Sequence, residues 1–207
     1  MTAIVKRFTL SLMIFVSAIA SASAFAIQNP LDLMEGATQR VISVLNQDRG
    51  RLKSNPNHAV QIIDRYIAPH FDFVEMSRWV VGRNAWTAAS RGEQDAFVRA
   101  FRNLVIRTYS KTLNKYESQT IEYLPLRGSY QGKSRIEVRS YIHEAGKEDQ
   151  KVAYRLIARG NTWKVYDVVI EGVSIVKGFQ SQFAADVKHN GLGYVAKKIT
   201  SHNRGGN

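Results

Sequence analysis

The stretch from Trp163 to Val176 constrains the fold of this chain more than any other. Its first part, from Trp163 to Ile170, is rich in Val, Ile, Tyr and Trp, a composition typical of a buried or half-buried strand. Gly172 interrupts this strand, and Ser174 is a suitable N-cap, so the sequence predicts a strand that runs straight into a helix. Because such an apolar strand needs cover, helices from earlier in the chain must pack against it.

Three more strands are predicted before this stretch. Residues 121–126 form the first, which Pro125 restricts to a sheet edge or a strand end. In the next two strands, apolar and polar residues alternate, which favours an antiparallel sheet, and Gly160-Asn161 predicts a tight hairpin into the strand that begins at Trp163. The positions expected to face inward are Ile136, Val138, Ser140 and Ile142 in one strand and Val152, Tyr154, Leu156 and Ala158 in the other.

Helix signals fill the remainder of the chain. Asn-Pro pairs at 29–30 and 55–56 predict two helix starts with a polar link between them, and Asp72 and Ser90 have the spacing of capping boxes with Glu75 and Glu93. The helix that begins near Ser90 is expected to reach about residue 116. A further helix is expected to end at residues 190–191, followed by a short helix over 192–199 and a flexible tail over 201–207.

The first 26 residues have the pattern of a cleaved signal peptide. Lys6 and Arg7 precede an apolar run over 8–20, which is shorter than the roughly 20 residues of a membrane-spanning helix. Small residues allow cleavage after residue 24 or 26, which leaves a single domain over 27–200. The sequence therefore predicts an exported protein that is periplasmic in a bacterium and has no stable membrane insertion.

The chain is basic, with a formal net charge of +12, of which +10 stays after the predicted cleavage. Export argues against nucleic acid as the partner, and leaves lipid headgroups or acidic proteins as anionic partners. Four residues at helical spacing make a basic stripe, which is either a solvated face or a docking surface: Arg99, Arg107, Lys111 and Lys115.

The sequence lacks the motifs of common catalytic and metal sites. It contains no glycine-rich phosphate loop, no nucleophile elbow and no cysteine, and no metal-ligand spacing is found, so no cofactor is expected. Asp167 and Glu171 are the best candidates for general acid and base, with Tyr154 or His70 as helpers. A structural role for both carboxylates, at the turn between strand and helix, is the competing interpretation.

Several segments together resemble the MlaC family of periplasmic phospholipid-binding proteins, also called toluene-tolerance proteins. The resemblance spans nearly the whole mature chain. It is carried by the segments 65–78, 80–83 with Trp86, the helix over 97–116 with Thr108-Tyr109-Ser110, 163–176, and Ser181-Gln182-Phe183.

The resemblance implies an α+β fold of the nuclear-transport-factor-2-like type, in which helices wrap a curved antiparallel sheet of about four strands behind a helical N-terminal part. It also implies an apolar pocket for phospholipid acyl chains, and exchange with an outer-membrane MlaA-type lipoprotein complex and an inner-membrane ABC transporter that carries an MCE-domain protein. Such a carrier maintains lipid asymmetry of the outer membrane and is not an enzyme.

The pocket residues predicted on this basis are the inward-facing apolar positions. The family motif supports Phe73, Met76, Val80, Val168, Val173 and Ile175; the assigned inner faces add Phe101, Leu104, Val105, Ile136, Val138, Tyr154, Leu156 and Phe179. Two other functions stay open from the residues alone. One is a small periplasmic enzyme of the same fold that uses Asp167 or Glu171, and the other is a basic adaptor whose interior is only packed core.

Overall fold

The computed structural model describes residues 27–113 and 119–205, and the predicted signal peptide lies outside them. The N-terminal half of this part is helical. Its α-helices are α1 (Pro30–Gln47), α2 (Arg49–Ser54), α3 (Pro56–Ile62), α4 (Phe73–Val81), α5 (Arg83–Ala88) and α6 (Arg91–Leu113), and a π-helical turn (Ile63–Ile67) and a 3-10 turn (Ala68–His70) connect α3 to α4.

The predicted helix starts are confirmed by their capping contacts. The Asn29 Oδ1 atom accepts a hydrogen bond of 3.0 Å from the backbone N–H of Leu31, and Asn55 caps α3 in the same way through Asn57. The polar link expected between these two helices is instead α2. Its Leu52 is buried beside Leu45 and Ala59, so one apolar anchor holds a helical turn in a polar segment.

The predicted N-caps also start α4 and α6, but only α6 has the reciprocal bonds of a capping box, because the Asp72 N–H donates to the Val165 carbonyl oxygen instead of to Glu75. The Asp72 side chain accepts a hydrogen bond of 2.9 Å from the Glu75 N–H, and the Glu93 carboxylate accepts one of 2.8 Å from the Ser90 hydroxyl. Gly82, with a φ of 79°, ends α4 as predicted. The described part of α6 ends at Leu113, so the predicted end near residue 116 lies outside the described residues.

The described strands form an open sheet in the order β1 (Thr120–Tyr123), β2 (Arg135–His143), β3 (Gln150–Arg159), β4 (Thr162–Ile170) and β5 (Val173–Ser174). All neighbouring strands are antiparallel, and β1 lies at an edge as predicted. A bulge opposite residues 155–156 interrupts the regular register of β3 and β4.

The apolar strand β4 does not run directly into a helix, which corrects the prediction from the sequence. Glu171 and Gly172 both have positive φ, 47° and 80°, as a two-residue hairpin turn requires. The chain therefore reverses, and Val173 pairs with Ile170 in the short strand β5. Ser174 then caps the following helix, as predicted, by accepting a hydrogen bond of 3.1 Å from the Lys177 N–H.

The last helix, α7 (Ile175–Gly205), is interrupted at Gly191, whose φ of 77° and ψ of 174° are not helical. This interruption lies where the sequence predicts a boundary between two helices. The helix then continues through Gly205, past the point where a tail was expected to begin.

Two apolar clusters hold the fold together. The first, here called the helical core, joins α4, α6 and α7 and includes the buried residues Met76, Phe97, Phe101 and Val195. The second, here called the sheet core, joins α1 to the inner face of the sheet. Helices on an antiparallel sheet confirm the predicted α+β class. Within residues 27–113 and 119–205, no helix combines the length and the apolar character needed to cross a bilayer.

Candidate functional site

A cavity of about 440 Å³ lies between α1, the 66–71 segment and the sheet. This volume is in the usual range of small-molecule sites. Its lining is mostly apolar. The lining residues are Met34, Ala37, Thr38, Val41, Ile42 and Leu45 of α1; Tyr66, Ile67, His70 and Phe71; Leu113 of α6; and Gln119, Ile121, Tyr123, Ile142, Glu144, Lys147, Gln150, Tyr154 and Val165 of the sheet and its β2–β3 connection.

The apolar face of helix α1 extends beyond the two places where the helix packs against the fold, and the cavity lies along the part between them. Met34 is buried in the sheet core, and Leu45 is buried in a separate cluster with Leu52 and Ala59. Ala37 and Val41 lie between these two anchors and line the cavity, and Val41 also packs against the cluster of Leu45. The helix is thus held to the fold near both ends and spans a space in between.

One end of the cavity is open to solvent. Glu144 and Lys147, which form an ion pair, line it at the β2–β3 connection together with Gln150. The Lys147 side chain is 66% exposed. A charged group can therefore stay in water at this end, while an attached apolar chain enters the space behind it.

Three hydroxyl groups interrupt the apolar lining. Thr38 Oγ1 and the Tyr123 hydroxyl form a hydrogen bond of 2.6 Å between α1 and β1, and the ring of Tyr154 lies 6.2 Å from that of Tyr123. Burial raises the pKa of both tyrosines above the usual value, so both stay neutral.

His70 contributes a titratable group to the lining. Its pKa is lowered first by burial and then by the positive charges of Lys164 and Arg40. The Lys164 ammonium is held close by a hydrogen bond of 2.5 Å to the Pro69 carbonyl oxygen. The neutral imidazole is therefore favoured, which suits an apolar cavity.

Most of the predicted pocket residues lie elsewhere; Tyr154 is the one that lines this cavity. Met76, Val80, Phe101 and Val105 are buried in the helical core, with Phe73, Leu104 and Phe179 packed against it. Val138, Leu156 and Val168 are buried in the sheet core, with Ile136 and Ile175 packed against it. Val173 is 68% exposed on β5 and does not face inward.

Sequence reasoning did not select the α1 and β1 residues that line the cavity. The available signal is the apolar face of α1, where Ala37, Val41 and Leu45 recur at helical spacing, but a helix that packs on a core has the same pattern.

The two candidate catalytic carboxylates both have structural contacts. Asp167 is buried and accepts hydrogen bonds from the Ser174 hydroxyl at 2.7 Å, the Val176 N–H at 3.1 Å and the Arg155 guanidinium at 3.0 Å. The Glu171 carboxylate accepts a hydrogen bond from the Lys151 N–H. Neither residue lines the cavity. Asp167 thus ties β4 to the start of α7, in agreement with the structural interpretation.

The remaining charged groups of the described residues give no candidate metal site. No group of three or more potential metal-binding side chains occurs among the described residues. In the predicted basic stripe, Arg99, Arg107 and Lys111 are exposed, while Lys115 lies outside the described residues.

Comparison with known proteins relates this fold to lipid binding. The family model described as MlaC protein matches residues 35–201 of the chain. The toluene tolerance protein ttg2D of Pseudomonas putida is 28% identical over 166 residues, which cover 80% of this chain and 76% of that protein. The intermembrane phospholipid transport system binding protein MlaC of Haemophilus influenzae is 22% identical over 197 residues, covering 94% and 91% of the two chains.

A solved structure shares the architecture. The phospholipid-binding protein from Ralstonia solanacearum, determined in complex with a phospholipid, superposes with a TM-score of 0.77 at 28% sequence identity. The match covers 86% of this chain and 98% of the other. The arrangement of helices and sheet described above is therefore also found in a protein that holds a phospholipid.

Proposed function

This chain belongs to the MlaC family, and we propose that it is a periplasmic carrier that holds a phospholipid with its acyl chains in the cavity beneath α1. The observation that carries the proposal is the cavity itself, which is apolar along its walls and has a charged, solvent-exposed end. A phospholipid has the same division between apolar chains and a charged headgroup.

Energetics explain why a carrier is needed. Two long acyl chains expose some 25 to 30 methylene groups, and each costs about 0.8 kcal/mol in water, on the order of 20 kcal/mol together. A protein that moves such a lipid through water must cover most of this surface. The apolar walls formed by α1, the 66–71 segment and the sheet give that cover.

The walls are also suited to releasing the lipid. Because α1 packs on the sheet core and on the cluster of Leu45, and contributes no residue to the helical core, a small movement of this helix would change the width of the cavity without disturbing the helical core. Loading and delivery require only such a movement, and no bond has to break.

The proposed partners follow from the family. The carrier would exchange phospholipid with an MlaA-type lipoprotein complex at the outer membrane and with an ABC transporter and its MCE-domain protein at the inner membrane. Its action would maintain the lipid asymmetry of the outer membrane. The proposed export signal over residues 1–26 would bring the protein to the periplasm, where both membranes are accessible.

The contacts of Asp167 support a carrier over an enzyme. General acid and base catalysis needs a carboxylate within reach of substrate, whereas the Asp167 carboxylate is occupied by Ser174, Val176 and Arg155. We therefore propose that the protein has no catalytic activity.

Native mass spectrometry of the exported protein, purified without detergent, tests the proposal. The expected result is a stoichiometric adduct with the mass of a phospholipid, which disappears on denaturation and is recovered in the lipid extract. A protein that stays bare after incubation with phospholipid vesicles would overturn the proposal.

A further inference from the structure

The hydroxyl groups of Thr38, Tyr123 and Tyr154, here called the hydroxyl cluster, have no role in covering hydrocarbon. They come from three separate elements, α1, β1 and β3, and all three side chains line the cavity. The Thr38 and Tyr123 hydroxyls are in contact at 2.6 Å. Placing polar groups in an apolar cavity is costly unless they find partners, so this arrangement needs an explanation.

Contacts with the protein leave part of the hydrogen-bonding capacity of the cluster unused. Each hydroxyl carries one proton and two lone pairs. A second contact of the Tyr123 hydroxyl, to the Met34 carbonyl oxygen, is long at 3.4 Å, and the Tyr154 side chain is a third polar neighbour. Ser140 is paired with Tyr123 across the sheet. Its buried Oγ makes no well-aligned hydrogen bond among the described residues, with the Tyr154 side chain as its polar neighbour.

The tyrosines of the cluster keep their protons. Burial is the largest cause that raises the pKa of both Tyr123 and Tyr154. At neutral pH both phenols are neutral and can donate hydrogen bonds, and both side chains line a space whose other walls are mainly apolar.

These properties define the group that fits against the cluster. It must accept a hydrogen bond, carry no charge and be attached directly to hydrocarbon. A phosphate is unsuitable, because the cluster contains no basic side chain and a buried anion without a counter-charge is strongly disfavoured. The carbonyl oxygen of a fatty acyl ester meets all three requirements.

We propose that the hydroxyl cluster is a subsite for the ester carbonyl of the cargo, so that the protein selects acyl ester lipids and draws the ester linkage into the cavity. This inference rests on the proposed carrier function and deepens it. The cluster determines how deeply the lipid enters, because the ester carbonyl binds where the hydroxyls can donate hydrogen bonds to it. The headgroup then lies at the end of the cavity lined by Glu144 and Lys147.

A lipid pair that differs only in the carbonyl tests the subsite. Delipidated protein is incubated with vesicles that contain equal amounts of dipalmitoyl phosphatidylglycerol and its dihexadecyl ether analogue, and the bound lipids are quantified by native mass spectrometry. The wild-type protein should retain the ester lipid over the ether lipid by about fivefold, the size expected for one buried neutral hydrogen bond.

Removal of the hydroxyls should abolish this preference. In Tyr154→Phe and in Tyr123→Phe the ester-to-ether ratio should fall toward one, while Tyr194→Phe, at an exposed tyrosine of α7 that does not line the cavity, should keep the wild-type ratio. Thermal unfolding of each variant verifies that the fold is intact, and Thr38→Val gives an independent variant on α1.

Three results would overturn the inference. Equal retention of the two lipids by the wild-type protein would show that no ester subsite exists. An unchanged ester-to-ether ratio in both tyrosine variants would show that other residues cause the preference for the ester lipid. Uptake of neither lipid by the wild-type protein would overturn the carrier function itself, which separates that failure from failure of the subsite.

Discussion

The helical core and the cavity beneath α1 are both lined by apolar side chains, yet one is closed and the other is open. In the helical core, Phe101 lies 5.8 Å from Phe97 in a stacked pair and 5.1 Å from Phe179 edge-on, and both Phe97 and Phe101 are fully buried. Beneath α1, about 440 Å³ is free of protein atoms. Apolar composition therefore does not distinguish a core from a binding site.

The helical core and the cavity differ in the side chains that each helix directs toward its neighbouring element. The helices of the core meet through aromatic rings that fill the space between them. At the centre of α1, Ala37 presents only a methyl group to the cavity, and Thr38 meets β1 only through its hydrogen bond to the Tyr123 hydroxyl. The hydroxyl cluster and His70 add polar groups that a sealed core of this size would seldom contain.

Truncation of a core residue should give the largest effect on stability. Phe101→Ala should lower the free energy of unfolding by about 3 to 5 kcal/mol, because it removes a fully buried ring and leaves a void. Ile121→Ala, which removes methylenes that already face the cavity, should cost about 1 kcal/mol or less. Urea denaturation of the two variants measures both values, and equal losses would contradict the distinction between core and cavity.

Asp167 joins the helical core to the sheet, and its removal should have an intermediate effect. Asp167→Asn should destabilise the fold by about 2 kcal/mol, because the buried Ser174 and Val176 contacts and the partly exposed Arg155 contact lose their charged acceptor. Lipid carriage should persist in the variant that still folds.

Glu171→Gln is the matched control for this change, since the amide oxygen can still accept the hydrogen bond from the Lys151 N–H. Its effect on stability should stay within about 0.5 kcal/mol. Loss of lipid transfer in Asp167→Asn with unchanged stability would instead support a direct role of the carboxylate in function.

The smallest expected effect is the pH dependence contributed by His70. Its pKa in the folded protein lies below 6.5, owing to burial, Lys164 and Arg40. Between pH 6.5 and this lower value the unfolded chain binds more protons than the folded one, so stability should fall as the pH decreases through this window. His70→Gln should flatten this slope in urea titrations at several pH values, and an unchanged slope would show that His70 is not the group responsible.

Local signals in the sequence were sufficient for much of the fold. Asn29, Asp72 and Ser90 each act as a cap where predicted, because a cap depends on contacts within one helical turn. The antiparallel strands and the edge position of β1 followed from alternation and from Pro125. The hairpin at Glu171-Gly172 was missed, because Glu seldom adopts the positive φ that this turn requires.

The cavity could not be predicted in the same way. Whether Val41 packs against another side chain or faces an open space depends on the distance between α1 and the sheet, which no local pattern encodes. The residues chosen from the family motif, such as Met76 and Val80, fill the helical core instead. Tyr154 is predicted from its inward position on β3. Its hydroxyl group can also form hydrogen bonds in the cavity, which an inward position alone does not indicate.

Filling the cavity tests the central claim most directly. Ala37→Trp places a large side chain into the space beneath α1, whereas Gln39→Trp places the same side chain on the exposed face of the same helix. Both proteins are purified without detergent and their phospholipid content is measured by native mass spectrometry, with circular dichroism to verify the fold. We predict that Ala37→Trp is folded but carries no phospholipid, while Gln39→Trp carries a stoichiometric amount. A folded Ala37→Trp protein with full phospholipid occupancy would contradict the assignment of the cavity as the lipid site.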